Sequence, residues 1–231
     1  MSDNRKFIEL AFERLSKELG ISKKFVVDLY AEENSWSFTS KLAQLVEGTF
    51  THAIVEALGE PKARRVVSNM TQASRIELLR DLGYVDTKQK TLFLAVAEIR
   101  NQYIHNVSNV DRTLADYIRA QEPRDAKALY NKFRPFFVGQ DKAMSLDAFI
   151  ADCKVQMFYA CSLQLLKVHG DVSGDKARKD HEARRLAEAG RLLPARKKGE
   201  MFPLDRLTVS SYVTQARDIL KREGLFVPEF K

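Results

Sequence analysis

The sequence predicts an all-α protein. Apolar residues recur with helical period through almost every segment of the 231-residue chain. No alternating apolar–polar run is long enough to mark a β-strand, and no internal repeat divides the chain. Glycine, proline and small polar residues fall where the helical stripes stop and start.

Residues 5–19 place Phe7, Ile8, Ala11, Phe12, Leu15 and Leu19 on one stripe, and Gly20 closes it. Residues 22–33 repeat the pattern with Phe25, Val26, Leu29 and Tyr30, and Trp36, the only tryptophan, falls in the connection that follows. A long helix over 38–58 turns Leu42, Leu45, Val46, Phe50, Ile54 and Leu58 inward and ends at Gly59 and Pro61. A shorter helix runs from Gln72 to Leu82 and stops at Gly83. Asp86 suits the N-cap of a helix from Thr87 to Ile104, because a short carboxylate can accept a hydrogen bond from the first-turn amides. Asp111 opens a short helix through Tyr117 and Arg119, and Pro123 and Pro135 bracket another. Residues 145–169 are apolar on a wide face, which predicts burial on more than one side, with Gly170 as the terminator. A basic segment, a loop with Pro194 and Pro203, and a last helix over 211–222 complete the chain.

The composition narrows the class. A hydrophobic fraction of 45% supports a real core and argues against wholesale disorder. No apolar run reaches the roughly 20 residues that a membrane span needs. The start, MSDNRKFIEL, has no apolar stretch of the kind a secretory leader carries, so the expected location is the cytoplasm, with no membrane partner. Cys153 and Cys161, eight apart on one helix, would be separated by about 12 Å, too far for a disulfide. They are expected to be small buried residues. The four histidines, His52, His105, His169 and His181, are scattered, and none has metal-ligand spacing with a Cys or another His. There is no Walker loop and no GxGxxG, so neither a metal nor a nucleotide cofactor is expected.

The net charge of +7 is unevenly placed. Residues 174–198 hold nine Lys or Arg against four acids, a local excess of five. Lys176, Arg178, Lys179, Arg184 and Arg185 lead this segment. Such a concentration suits an anionic partner, with nucleic acid the first candidate. A solvated surface helix has the same composition.

The stretch AEIRNQYIHN, residues 97–106, raises the functional question. On a helix with about 100° per residue, Leu92, Val96, Ile99 and Tyr103 make one core-facing stripe, and Glu98, Asn101 and His105 cluster within about 60° on another side. Arg100 lies about 140° from His105 if the helix is regular. The gap closes if the arginine curls over it, if the helix ends before His105, or if the two residues meet across a dimer axis. A guanidinium matches phosphate oxygens, and a histidine can move protons near neutral pH. Together with Asn101 they suit metal-independent RNA cleavage. The 2′-OH attacks the adjacent phosphate, and the products are a 2′,3′-cyclic phosphate and a 5′-OH end. The plainer reading is a core helix whose last turn becomes polar as it reaches water.

The string Arg100-Asn101-Gln102-Tyr103-Ile104-His105 is an R-N-x-x-x-H motif at the end of an apolar helix. It follows the helices LVEGTFTHAIVEAL and SRIELLRDLGYV. In this order the segments resemble the HEPN superfamily, and most closely its mannitol-operon-repressor-like members, over about residues 36–120. The resemblance implies an antiparallel helical bundle, a homodimer whose motif helices meet near the two-fold axis, and Arg100 and His105 as a catalytic pair with Asn101 beside them. Glu98 would be an auxiliary polar residue. Many HEPN proteins cleave RNA without a metal, as toxins of toxin–antitoxin pairs or as phage-defence effectors, so RNA and an antitoxin or regulatory protein are the implied partners. The repressor-like members imply the alternative, a non-catalytic transcriptional regulator or adaptor. The expected organisation is N-terminal helices in 1–35, a HEPN-like core in 36–120, and a C-terminal helical extension in 121–231 that includes the basic segment.

Overall fold

A computed structural model describes residues 2–137 and 144–192, with side chains described at Leu10, 12–137 and 144–188. Among the described residues all regular structure is helical. The helices are α1 (Ser2–Leu19), α2 (Lys23–Tyr30), α3 (Ser35–Leu58), α4 (Arg64–Ser68), α5 (Gln72–Asp81), α6 (Thr87–His105), α7 (Leu114–Arg119), α8 (Pro123–Phe133), α9 (Leu146–Ala151) and α10 (Cys153–Leu192). None of them is long and apolar enough to cross a membrane.

Side-chain caps start most of these helices. Ser22, Asn34, Thr71, Thr113 and Ser145 each accept a hydrogen bond from an amide of the first turn. Asp86 does so in a full capping box, its carboxylate accepting from Gln89 N while Gln89 accepts from Asp86 N. Gly59 closes α3 with a φ of 65°, a left-handed conformation that costs other residues more.

The centre of the bundle is α3 against α6. Phe50 and Phe93 meet edge-on, ring centroids 4.7 Å apart. Leu92, Val96, Ile99 and Tyr103 are all buried, so the stripe predicted for α6 faces the core. α5 covers one side of this pair through Ile76 and Leu79. The first part of α10 contributes Cys153, Met157, Phe158, Cys161, Leu165, Val168 and Val172 to the same core. Phe158 joins Phe12 and Tyr30 in edge-on contacts that tie α1, α2 and α10. Both cysteines are free and buried, and burial pushes the Cys153 thiol up to about 11. Cys161 is pushed higher for the same reason.

The chain divides into two units, Met1–Lys176 and Ala177–Lys231. Residues of all three expected segments, up to Val172, share one core within the first unit.

Several local expectations change. Helix α10 does not stop at Gly170. It runs through Gly170 and Gly174 to Leu192. An isolated helical glycine costs about 1 kcal/mol relative to alanine, too little to end a helix held by its buried face. The same wide-faced segment breaks earlier, between α9 and α10 at Asp152. Trp36 lies in the first turn of α3, because Asn34 caps the helix ahead of it. Thr113, not Asp111, opens α7. Leu58, expected to face inward, is 47% exposed in the last turn of α3, beside the Gly59 cap. The loop containing Pro194 and Pro203 and the final helix over 211–222 lie outside the described residues.

The corner between α2 and α3 is organised by Glu32. Its carboxylate accepts hydrogen bonds from Lys41 Nζ at 2.6 Å, Ser37 Oγ at 2.7 Å and Asn34 N at 3.0 Å. These bonds, that from Lys41 foremost, lower its pKa from 4.5 to about 2. A carboxylate with a depressed folded pKa stabilises the fold above its unfolded pKa and loses that contribution as pH falls through the folded value. Glu32→Gln is therefore expected to lower the melting temperature at pH 7 and to flatten the loss of stability between pH 4.5 and about 2. Parallel melts of wild type and variant across that window check it. An unchanged acid slope in the variant would rule Glu32 out as the source.

Candidate functional site

Helix α6 is regular through His105, and Asn106 caps it in an extended conformation. Of the three ways to close the angle between Arg100 and His105, early termination of the helix is thereby removed. The two residues remain about 140° apart around the axis. Around this helix end the backbone is closed by side chains. Asn109, itself buried, donates from Nδ2 to the Gln102 carbonyl at 3.1 Å, one of the carbonyls left without a helical partner. Arg112 Nη1 donates to Asn109 Oδ1 at 3.3 Å, and the Tyr103 hydroxyl donates to the Arg112 carbonyl at 3.3 Å. Burial pushes the Tyr103 phenol well above its ordinary range, so it remains a donor. This network fixes the last turn, and with it the directions of Arg100, Asn101 and His105.

Arg100 and Asn101 open onto a cleft of about 750 Å³ between α6 and the α4–α5 corner. His105 does not line it. Among the described residues, the Arg100 guanidinium hydrogen-bonds its neighbour, Nη1 to Asn101 Oδ1 at 3.1 Å, and pairs with no carboxylate. His105 is exposed and has no hydrogen bond or ion pair among the described residues. Glu98 is also exposed and is held by Lys132 Nζ at 2.9 Å. It stands between the large cleft and a second one of about 320 Å³ lined by Tyr117, Gln121 and Lys132.

The cleft contains residues that the sequence reading did not single out. Gln72, Glu47 and above all Arg75 line it. Arg75 is only 5% exposed. Its Nε donates to the Val67 carbonyl at 3.0 Å and its Nη2 to the Ser68 carbonyl at 2.8 Å, while Nη1 lies 3.7 Å from Glu47 Oε2. The guanidinium closes the C-terminal end of α4, where the carbonyl dipoles favour a cation. The signal was present. Arg75 precedes Leu79 by four residues, so it lies on the apolar stripe of α5, where an arginine needs a partner.

The basic residues divide between the two units. Lys176, in the first, has its Nζ 3.9 Å from Glu56 Oε1. Arg178, Lys179, Arg184 and Arg185 belong to the second unit and to its helical residues, with Arg185 half-buried and the others exposed. Arg178 and Arg185, seven apart, share a face, whereas Lys179 and Arg184 lie about 100–120° to either side. The charge encircles this part of the helix instead of marking one edge.

The fold brings together two histidines that are remote in sequence. The rings of His52 and His169 stack with centroids 5.7 Å apart, and the Glu56 carboxylate lies beside them. No family model, no curated protein and no solved structure matches this chain.

Replacing Arg75 with Met would leave the Ser68 carbonyl without its donor, take one donor from the Val67 carbonyl, which keeps the Met70 N–H at 3.1 Å, and leave Glu47 without its cation. The expected loss is about 2–4 kcal/mol of folding stability, read from urea denaturation. Arg75→Lys should recover only part of it, because an ammonium cannot reproduce the planar fork. A loss well under 1 kcal/mol in Arg75→Met would show that water in the cleft replaces the guanidinium.

Proposed function

We propose that this protein is a metal-independent endoribonuclease of the HEPN kind that works as a homodimer, with Arg100, Asn101 and His105 as its site. One observation carries the reading. Arg100 and Asn101 line a cleft large enough for a nucleotide, while His105, on the same uninterrupted helix, does not line it and stands about 140° from Arg100 around the axis. A single copy keeps the phosphate-binding and proton-transferring groups apart. A two-fold partner brings the His105 of one copy to the Arg100 of the other. The surface beside His105 suits such contact, since Ile104 and Val107 are 36% and 84% exposed.

In the proposed reaction, one His105 accepts the proton of the RNA 2′-OH as its oxygen attacks the adjacent phosphorus. The bond from phosphorus to the 5′-oxygen breaks, and the leaving oxygen takes up a proton from solvent, while His105 returns the proton it accepted to solvent. Arg100 stabilises the charge that grows on the phosphoryl oxygens. Asn101, hydrogen-bonded to Arg100, orients the guanidinium. DNA lacks the attacking hydroxyl and is spared. Toxin–antitoxin and phage-defence settings both accommodate such an activity, with an antitoxin or regulatory protein as partner.

Arg100→Ala and His105→Ala are each expected to abolish RNA cleavage in EDTA. Each should change folding stability by no more than about 1 kcal/mol, because neither truncation opens an apolar cavity. A mixture of the two inactive variants is the sharper measurement. If each site takes Arg100 from one copy and His105 from the other, co-refolded variants regain about a quarter of wild-type activity, since half the dimers are mixed and each holds one intact site. No recovery would place both residues in one copy. An inactive wild type, or a monomer at high concentration, would favour the repressor-like reading, in which the motif only supports the architecture.

The basic helix is tested separately. If Arg178, Lys179, Arg184 and Arg185 track a phosphate backbone, replacing all four with Gln should reduce the slope of log affinity for single-stranded RNA against log salt by up to about 3. Replacing the exposed Lys179 and Arg184 alone should hardly change the thermal melt. An unaltered slope would make these residues a solvated surface.

A further inference from the structure

His52 and Glu56 are four residues apart on α3, so they project from the same face about one turn apart. His169, on α10, meets them there. One ligand atom from each of the three side chains lies within 4.8 Å of the other two. His52 Nδ1 is 3.6 Å from Glu56 Oε2. Glu56 and His169 are largely buried, at 15% and 12% side-chain exposure, while His52 is 51% exposed.

The cluster is incompletely satisfied as it stands. The contacts to the Glu56 carboxylate are all long. Ser173 Oγ donates to both oxygens at 3.3 Å, and Lys176 Nζ stands off at 3.9 Å. His169 Nδ1 is buried without a hydrogen-bond partner, and a Glu18 oxygen lies 4.0 Å from it. Polar atoms gathered under the surface normally have closer partners. An ordinary ion-pair cluster would shorten these contacts. Here one ligand atom of each imidazole and of the carboxylate lie within 4.8 Å of one another, and His52 Nδ1 stops 3.6 Å short of Glu56 Oε2.

We infer that His52, Glu56 and His169 form a binding site for a divalent transition-metal cation, Zn²⁺ in particular, that fastens α10 to α3. Two imidazoles and one carboxylate are a ligand set suited to zinc, with the exposed side at His52 leaving a fourth position for water. Zinc ligands stand about 2.0–2.2 Å from the metal, which sets tetrahedral ligand atoms about 3.4 Å apart. His52 Nδ1 and Glu56 Oε2, 3.6 Å apart, already stand near that spacing, and the other separations are no more than 4.8 Å. The surroundings supply outer support. Ser173 orients the carboxylate, and Glu18 is placed to accept from Nδ1–H of His169 when Nε2 takes the metal. Among the described residues, Lys176 is the competing cation beside Glu56. This site shares no residue with the cleft at Arg100 and does not depend on the proposed RNA chemistry.

The test is equilibrium dialysis of the full chain against Zn²⁺, paired with thermal melts and with Co²⁺ as a spectroscopic probe. Wild type should bind one equivalent and melt several degrees higher with zinc than without. His52→Ala and Glu56→Gln should each weaken binding at least ten-fold and lose the melting shift. Both are expected to fold without metal, because His52 is exposed and the glutamine preserves the shape of Glu56. His169→Ala should behave likewise. Lys176→Met should tighten binding, since it removes a neighbouring positive charge. His181→Ala should leave binding unchanged, and the ligand-field band of bound Co²⁺ should vanish in His52→Ala alone of these two. Failure of the wild type to take up zinc, or equal affinity in wild type, His52→Ala and Glu56→Gln, would overturn the assignment.

Discussion

Everything at the polar end of the bundle follows from the burial of one face of α6. Leu92, Val96, Ile99 and Tyr103 must leave water together, and α3 offers the surface that accepts them. Fully burying a side chain of this size contributes on the order of 1.5–3 kcal/mol, so four in register fix the rotation of the helix firmly. Once that rotation is set, Arg100 and His105 have no freedom to share a side. The edge-on contact of Phe50 with Phe93 sets the spacing of the two helices from within.

The helix end is held by polar contacts instead. Asn109 and Arg112 reach back from the following turn, and the Tyr103 hydroxyl closes the loop from the core side. Ser35, at the start of α3, accepts from Leu114 N at 2.8 Å and ties the segment after the motif to the first turn of the central helix. A polar network of this kind is costly unless its members are paired; here three of the bonds serve the Gln102 and Arg112 carbonyls and the Leu114 amide, and the fourth, from Arg112 to Asn109, holds the asparagine in place. The last turn of α6 is thus a rigid platform rather than a frayed terminus.

Two polar clusters on this scaffold differ in kind. The cleft at Arg100 holds a guanidinium that pairs with no carboxylate among the described residues, beside Arg75, whose guanidinium is occupied by the end of α4 and by Glu47. One arginine is available to an anion and the other shapes the wall. The cluster at His52, Glu56 and His169 instead joins α3 to α10 with nitrogen and carboxylate ligands, and a cation there would act on the fold before it acted on any substrate.

The sequence by itself determined the helical class, most helix boundaries and the inward stripe of α6, because these follow from local periodicity and capping chemistry. Asp86 before the α6 helix and Gly59 after α3 could be read from residue type alone. It also showed that Arg100, Asn101 and His105 stand together in the chain, and that their angles on a regular helix diverge. What local pattern could not show was which interruptions the core would override. Gly170 marks an end in sequence, yet the buried face through Val168 and Val172 carries α10 past it. Nor could it join residues distant along the chain. Arg75 reaches the carbonyls at the end of α4 only because the α4–α5 corner folds back, and His169 meets His52 across 117 positions only because α10 packs against α3. Periodicity is a property of neighbours in sequence; clefts and clusters are made by helices that share a core, and only the tertiary structure decided which faces those would be.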